Sequence, residues 1–279
     1  MRIVQIVDPS ASHYERKSQR IDADELARWH EVETLVLAGD ERNLLQRLKN
    51  ADVVHLYAQH AIPLSLARAI PKPYVSSSEL ESSLFSWRRR PRPPHRISPL
   101  GPAAIPEAVA TEFFQPATSR GTEQPRNRAA SAVGVFDGAR PDVRRMVELT
   151  RVRLERFRDD VTWTLFPSPP GVEELRVIDV WFDPATAESD LDGWTAEALV
   201  AGLPVVAART AINAERLNSG RNGLLVPVGD ANQMTHAILA ALFKPEVREP
   251  RREFARLTRD RFRPERRAMA LLGIYETIR

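Results

Sequence analysis

DGWTAEALVAGLPVVAARTAINAERLNSGRNGLLVPVGD, Asp192 to Asp230, is the stretch whose reading decides the fold. A Gly-Trp-Thr turn opens it, residues 196–201 have helix-forming composition, and Gly202 leads into the apolar, β-branched run 203–208. The order is helix, tight turn, buried strand. A second unit follows: residues 214–217 form a short helical piece, Gly220 and Gly223 punctuate a turn, and residues 224–228 read as another strand. Helices alternating with strands predict an α/β domain with a parallel sheet.

The rest of the chain sets the bounds. Its 279 residues give room for two domains of about 100–150 residues each. With 43% apolar and 28% charged residues, it has the composition of a folded globular protein. No run approaches the roughly 18 apolar residues that span a bilayer. MRIVQIVDPS has no basic leader or cleavage site and reads as a first buried strand, so a cytoplasmic protein is expected. The lack of cysteine excludes disulfides, thiolate nucleophiles and cysteine-based zinc sites. Net charge is +3, carried by arginine, with four lysines in the chain. Arginine forks suit phosphate, but arginine bias is also a matter of plain composition. No aromatic–basic sheet or recognition helix points to nucleic acid.

In the first half, residues 3–7, 32–38, 53–57 and 74–76 are short apolar runs, separated by helix-like segments at 23–29, 44–49 and 64–69. This is one Rossmann-like half without the G-x-G-x-x-G turn of dinucleotide sites. In LFSWRRRPRPPHR, Leu84 to Arg96, prolines exclude a regular helix. It reads as an exposed loop, either a peripheral membrane contact or a crossing between domains. In the second half, residues 131–136, 161–166 and 180–182 read as strands. Helices are expected over residues 142–158 and 232–243, and the alternating charges of 245–267 read as a solvated helix face. Phe262, Leu272 and Tyr275 are its expected anchors.

EALVAGLPVVA, followed by an acidic residue and NGLLVPVGD, resembles the donor-sugar half of retaining, family 4-type (group 1) glycosyltransferases. The resemblance implies the GT-B fold in shortened form. That means two reduced Rossmann-like domains with parallel sheets, and a C-terminal helix crossing back to the first. The implied domains are an acceptor-side domain at 1–117, a linker at 118–129, a donor-binding domain at 130–260 and a crossing helix at 261–279. Pro99, Gly101, Val109, Phe114 and Pro116 fit the family's inter-domain signature.

The family's two diphosphate-binding cations fall, by position, at Val135 and Arg140, so Arg140 is the surviving one. Arg144, one turn on, is a candidate substitute or a solvated charge. Gly193, Trp194 and Thr195 would present backbone amides to the diphosphate, with Asp192 beside them. Glu197 would accept ribose hydroxyls, or merely favour the helix dipole. The family's second glutamate, which orients the donor sugar, falls at Ser189; one extra loop residue would present Glu188 as the catalytic carboxylate instead. Glu215 stands where the family has a later acid, or is only a helix-starting acid. On the acceptor side, His13 and Glu79 are candidates, with Ser78 or Glu79 where the family has a histidine. His55 reads either with them or as a satisfied core residue.

The resemblance thus implies metal-independent transfer of a sugar from a nucleotide-diphosphate donor, with no cofactor. The acceptor would be a glycan, a lipid-linked molecule or a small molecule. A non-catalytic scaffold of the same fold is the alternative.

Overall fold

A computed structural model of the chain describes residues 1–8, 11, 13–36, 44, 47–57, 74–76, 95–96, 107–114, 130–185 and 193–278. The chain forms two compact units, Met1–Ala108 with Phe262–Arg279, and Val109–Arg261.

In the first unit, strands β1 (Arg2–Val7), β2 (Glu31–Val36), β3 (Val53–Tyr57), β4 (Tyr74–Ser76) and β5 (His95–Arg96) form a parallel sheet in the order β2-β1-β3-β4-β5. The strands are legible as apolar runs because a parallel sheet is covered on both faces. Val4, Ile6, Val54 and Leu56 pack with Leu35 and Leu48 in one core cluster. Ile3, Val53 and Val75 pack with Leu26, Leu271 and Tyr275 in another. The strand β5 was not anticipated: His95 and Arg96, the end of the expected exposed loop, pair with Val75 and Ser76. Residues 84–94 of that loop, and the helix expected at 64–69, lie outside the described residues.

Helix α1 runs over His13–Leu26, where the apolar pattern predicted 23–29. Its first ten residues conceal their helical face because that face is polar. Glu15, Ser18, Gln19, Asp22 and Glu25 are all buried. They meet a polar patch in the middle of the sheet. Gln19 Nε2 donates to Gln5 Oε1 at 2.8 Å and to Thr34 Oγ1 at 3.0 Å, and Gln5 Nε2 reaches the Tyr57 hydroxyl at 3.4 Å. That hydroxyl donates to Asp22 Oδ2 at 2.7 Å.

The chain closes on Asp22 from the far end of the sequence. Arg267, in helix α8 (Pro264–Ile278), gives Nε to Asp22 Oδ1 at 2.7 Å and Nη2 to Oδ2 at 3.0 Å. Arg267 belongs to the charge run read as solvated, yet it is 3% exposed. The fork explains this: a buried guanidinium requires a carboxylate, and α8 lies against α1 to supply it. Burial pushes the Asp22 carboxyl up and Arg267 and the Tyr57 hydroxyl pull it back. Burial is the larger effect, so the Asp22 carboxyl stays above its ordinary value. Tyr275 and Phe262 are buried as expected and Leu272 is half-buried. His55 is a core residue. Its Nδ1 shares a 2.6 Å hydrogen bond with the Tyr275 hydroxyl, its ring stacks on Tyr57, and burial, then Arg267, holds its pKa well below 6.5.

In the second unit, β6 (Ser131–Phe136), β7 (Val161–Phe166), β8 (Val180–Asp183), β9 (Val205–Ala208) and β10 (Leu224–Val226) form a parallel sheet in the order β10-β9-β8-β6-β7. Counted within its unit, each sheet has the order 2-1-3-4-5. On one face, helices α2 (Pro141–Leu154) and α6 (Ala231–Phe243) pack Val143, Val147, Met234 and Ile238 onto Val133, Val135, Phe182 and Val206. α2 stops four residues before the expected end at 158, because the backbone turns over 155–157. α3 (Val172–Leu175), α4 (Thr195–Val200), α5 (Ala211–Arg216) and α7 (Pro245–Thr258) complete the unit. Among the described residues, no helix is long and apolar enough to cross a membrane.

Two predictions concern the first unit. Arg267→Met strands a buried carboxylate and lowers the unfolding free energy in urea by about 3–5 kcal/mol; the double variant Asp22→Asn/Arg267→Met recovers most of it. His55 titrates near 6.5 when unfolded and well below that when folded, so between these values the unfolded chain binds the extra proton. Stability therefore falls as pH drops below about 6.5, by up to about 1.4 kcal/mol per pH unit from this group. His55→Asn removes that part of the slope, measured by urea midpoints from pH 5 to 7.

Candidate functional site

In a sheet of order 2-1-3-4-5, successive connections leave the two central strands on opposite sides, opening a crevice at their carboxyl ends. In the second unit those strands are β6 and β8. Their register pairs Val133 with Val180 and Gly134 with Trp181, so the loops that follow them start side by side. VGVFD and VWFD each finish on an aspartate, Asp137 and Asp183, and both are buried. Neither was singled out from the sequence, although an acid closing an apolar strand twice over was a usable signal.

The loop after β6 is Asp137-Gly138-Ala139-Arg140. Gly138 and Ala139 are both left-handed, with φ of 52° and 59°. A non-glycine residue there carries strain of about 1 kcal/mol or more, which clusters at functional sites. The double bend folds the chain back. Arg140 N donates to Asp137 O at 2.8 Å and Arg140 Nε reaches the same oxygen at 3.3 Å. Arg140 also precedes α2, whose N-terminus has no side-chain cap. Val135 faces inward, wholly buried, and brings no cation. Arg144 is not simply solvated: its Nε pairs with Asp137 Oδ2.

The loop after β8 ends at Gly193. Asp183 Oδ2 accepts from Thr195 Oγ1 at 2.6 Å and from Asn213 Nδ2 at 3.0 Å, and Oδ1 accepts from Ala185 N at 3.2 Å. The carboxylate lies hard against Gly193, where an added Cβ would sit 2.0 Å from Oδ2. Only glycine fits.

Two indoles hold the same loop. Trp181 Nε1 donates to Gly193 O at 3.0 Å. Trp194, left-handed with φ of 56°, caps α4 and gives its Nε1 to Pro170 O at 3.1 Å. Its ring meets Phe136 with centroids 5.9 Å apart, which joins the two strand-end loops. Thr195 spends its hydroxyl on Asp183, and α4 has six residues, so its dipole acts over about one turn. Glu197, in that turn, is 1% exposed.

The structure thus gathers Arg140, Gly193, Trp194, Thr195 and Glu197 at one end of one sheet. Glu188 and Asp192 lie outside the described residues, as does Glu79. His13 begins α1 and is exposed. Glu215 is not a helix-starting acid: Thr210 caps α5, its side chain accepting from Asn213 N, and Glu215 is exposed in the last turn.

Residues 117–243 match the family model described as glycosyl transferases group 1. A comparison with curated proteins finds no match. Among solved structures, a glycosyltransferase from Rickettsia africae superposes with a TM-score of 0.68 at 11% identity, covering 99% of this chain and 98% of that one. HepE from Anabaena, in complex with UDP and glucose, gives 0.66 at 14% identity, covering 99% and 100%. The sucrose-phosphate synthase of Thermosynechococcus elongatus gives 0.66 at 14%, covering 99% of each. At these identities the likeness establishes the fold alone, GT-B, with a Rossmann-like sheet in each unit.

Gly193→Ala is expected to lower unfolding stability by more than about 2 kcal/mol, since backbone or carboxylate must move and strand buried bonds. Adding Asp183→Ala relieves the clash. The double variant should be less harmful than the sum of the singles by more than about 1 kcal/mol in a double-mutant cycle.

Proposed function

We propose that this chain, a shortened group 1 glycosyltransferase by its matched donor half and its GT-B fold, moves a sugar from a nucleotide diphosphate to an acceptor hydroxyl, with retained anomeric configuration and no metal ion. One observation carries the reading. Arg140 and the Gly193–Trp194–Thr195 loop with Glu197 converge where the loops after β6 and β8 begin, and that crevice is where open α/β sheets bind ligands.

In the reaction, the bond from anomeric carbon to diphosphate oxygen breaks and a bond to the acceptor oxygen forms on the same face of the sugar. The acceptor proton leaves with the diphosphate. The Arg140 guanidinium balances the charge that builds on the departing group, and a donor fixed beforehand costs no reorganisation at that moment. Glu197 accepts ribose hydroxyls, and Glu188 orients the donor sugar. Gly193, Trp194 and Thr195 form the wall against which the diphosphate lies, and Asp192 is assigned to the same donor-binding set. Trp194 clips the Pro170 loop to this wall, which gives the nucleobase a rigid neighbour. His13 and Glu79 serve the acceptor, and residues 84–96 give the chain, cytoplasmic in this reading, a peripheral hold on an anionic membrane.

UDP is the first probe, because HepE, which shares the fold, was solved with UDP and glucose. In a thermal-shift and calorimetric screen of UDP, GDP, ADP and TDP, one diphosphate is expected to stabilise the protein by about 2.7 kcal/mol at 100 times its dissociation constant. Glu197→Ala should abolish the shift. If none of the four binds, the non-catalytic scaffold becomes the better reading.

A further inference from the structure

We infer that Arg144 is a second diphosphate-binding cation, aimed by Asp137; the inference rests on the donor reading above. The chain contains a direct contrast between two arginines on buried aspartates. Arg267 meets Asp22 with two nitrogens and is itself buried, its side chain 4% exposed. That is how an arginine serves a purely structural pair. Arg144 meets Asp137 through Nε alone, and its side chain is 52% exposed while Asp137 is fully buried.

The remaining oxygen of Asp137, Oδ1, is taken by Ala139 N at 3.1 Å. The carboxylate therefore holds one edge of the guanidinium and leaves the terminal fork outward. Among the described residues, Nη1 and Nη2 of Arg144 make no hydrogen bond, which leaves four N–H donors in the geometry that grips phosphate oxygens.

Helical side chains lean toward the helix N-terminus, and that lean brings Arg144 back to the carboxyl end of β6. Arg140 touches the carbonyl of the same aspartate. Two guanidinium groups thus bond one aspartate, Arg144 at its carboxylate and Arg140 at its backbone carbonyl, beside the loop that Trp194 joins through Phe136. Arg145, the next residue on the helix, has no such anchor among the described residues.

The test uses the diphosphate selected by the screen, its nucleoside, and inorganic pyrophosphate, with affinities from calorimetry. Arg144→Met alone would strand a buried carboxylate, so the comparison is Asp137→Asn against Asp137→Asn/Arg144→Met. These differ only in the guanidinium. Losing it is expected to weaken the nucleoside diphosphate and pyrophosphate about 10–100-fold and to leave the nucleoside unchanged. Arg145→Met should change each by less than about threefold. Equal losses from Arg144 and Arg145, or an equal loss for the nucleoside, would overturn the inference. So would Glu197-dependent diphosphate binding that ignores Arg144, which leaves the donor reading standing. A wild-type protein that binds none of the four diphosphates overturns both.

Discussion

The second unit depends on a charge placed where charge is costly. Asp183 ends a buried strand at 2% exposure, and a carboxylate in such a place is tolerated only when donors surround it. Thr195, Asn213 and the Ala185 amide supply them. That requirement reaches outward: it brings the start of α4 and the inner face of α5 to one point, and it forces glycine at 193. The indoles of Trp181 and Trp194 then hold the two flanking peptides. A loop built this way is held by the protein's own hydrogen bonds.

The first unit applies the same physics to a different end. Its interior is divided: one sheet face is aliphatic, while the other carries Gln5 and Tyr57, bonded to the polar side of α1 directly or through each other, and His55, bonded to Tyr275 of α8. Every link from Thr34 through Gln19, Gln5 and Tyr57 to Asp22 is a directional bond, so the helix has one acceptable register where an apolar face would tolerate several. Arg267 ends the chain of bonds. A segment 245 residues from Asp22 in sequence is thereby tied to the same unit, and the pair's cost of burial is compensated only in that arrangement.

Both sheets share one strand order, and each therefore has one crevice at the carboxyl ends of its central strands. In the second unit the crevice is bordered by the left-handed pair Gly138–Ala139 on one side and left-handed Trp194 on the other. Strained backbone on both rims, beside two buried aspartates, is a concentration of unfavourable local choices. Asn218 and Ser219, in the turn before β10, are left-handed as well, with φ of 47° and 54°. What sets the crevice apart is that strained backbone on both rims coincides with two buried aspartates.

The sequence by itself determined the strands other than β5, the alternation that makes the sheets parallel, and the neighbourhood of Arg140, Gly193 and Glu197. Apolar runs between turn residues, and small residues at fixed spacing, are local signals that survive without a partner. It did not disclose the length of α1 or the burial of Arg267, because polar faces carry the pattern of a solvated surface until the groups that satisfy them are known. The roles of Asp137, Asp183 and Asn213 were hidden for the same reason. Their partners stand up to 30 residues away, and whether a carboxylate is solvent-facing or the centre of a hydrogen-bonded cluster is settled by what folding brings within 3 Å of it. Tertiary structure alone decided that, since the energy of a buried charge lies in its neighbours.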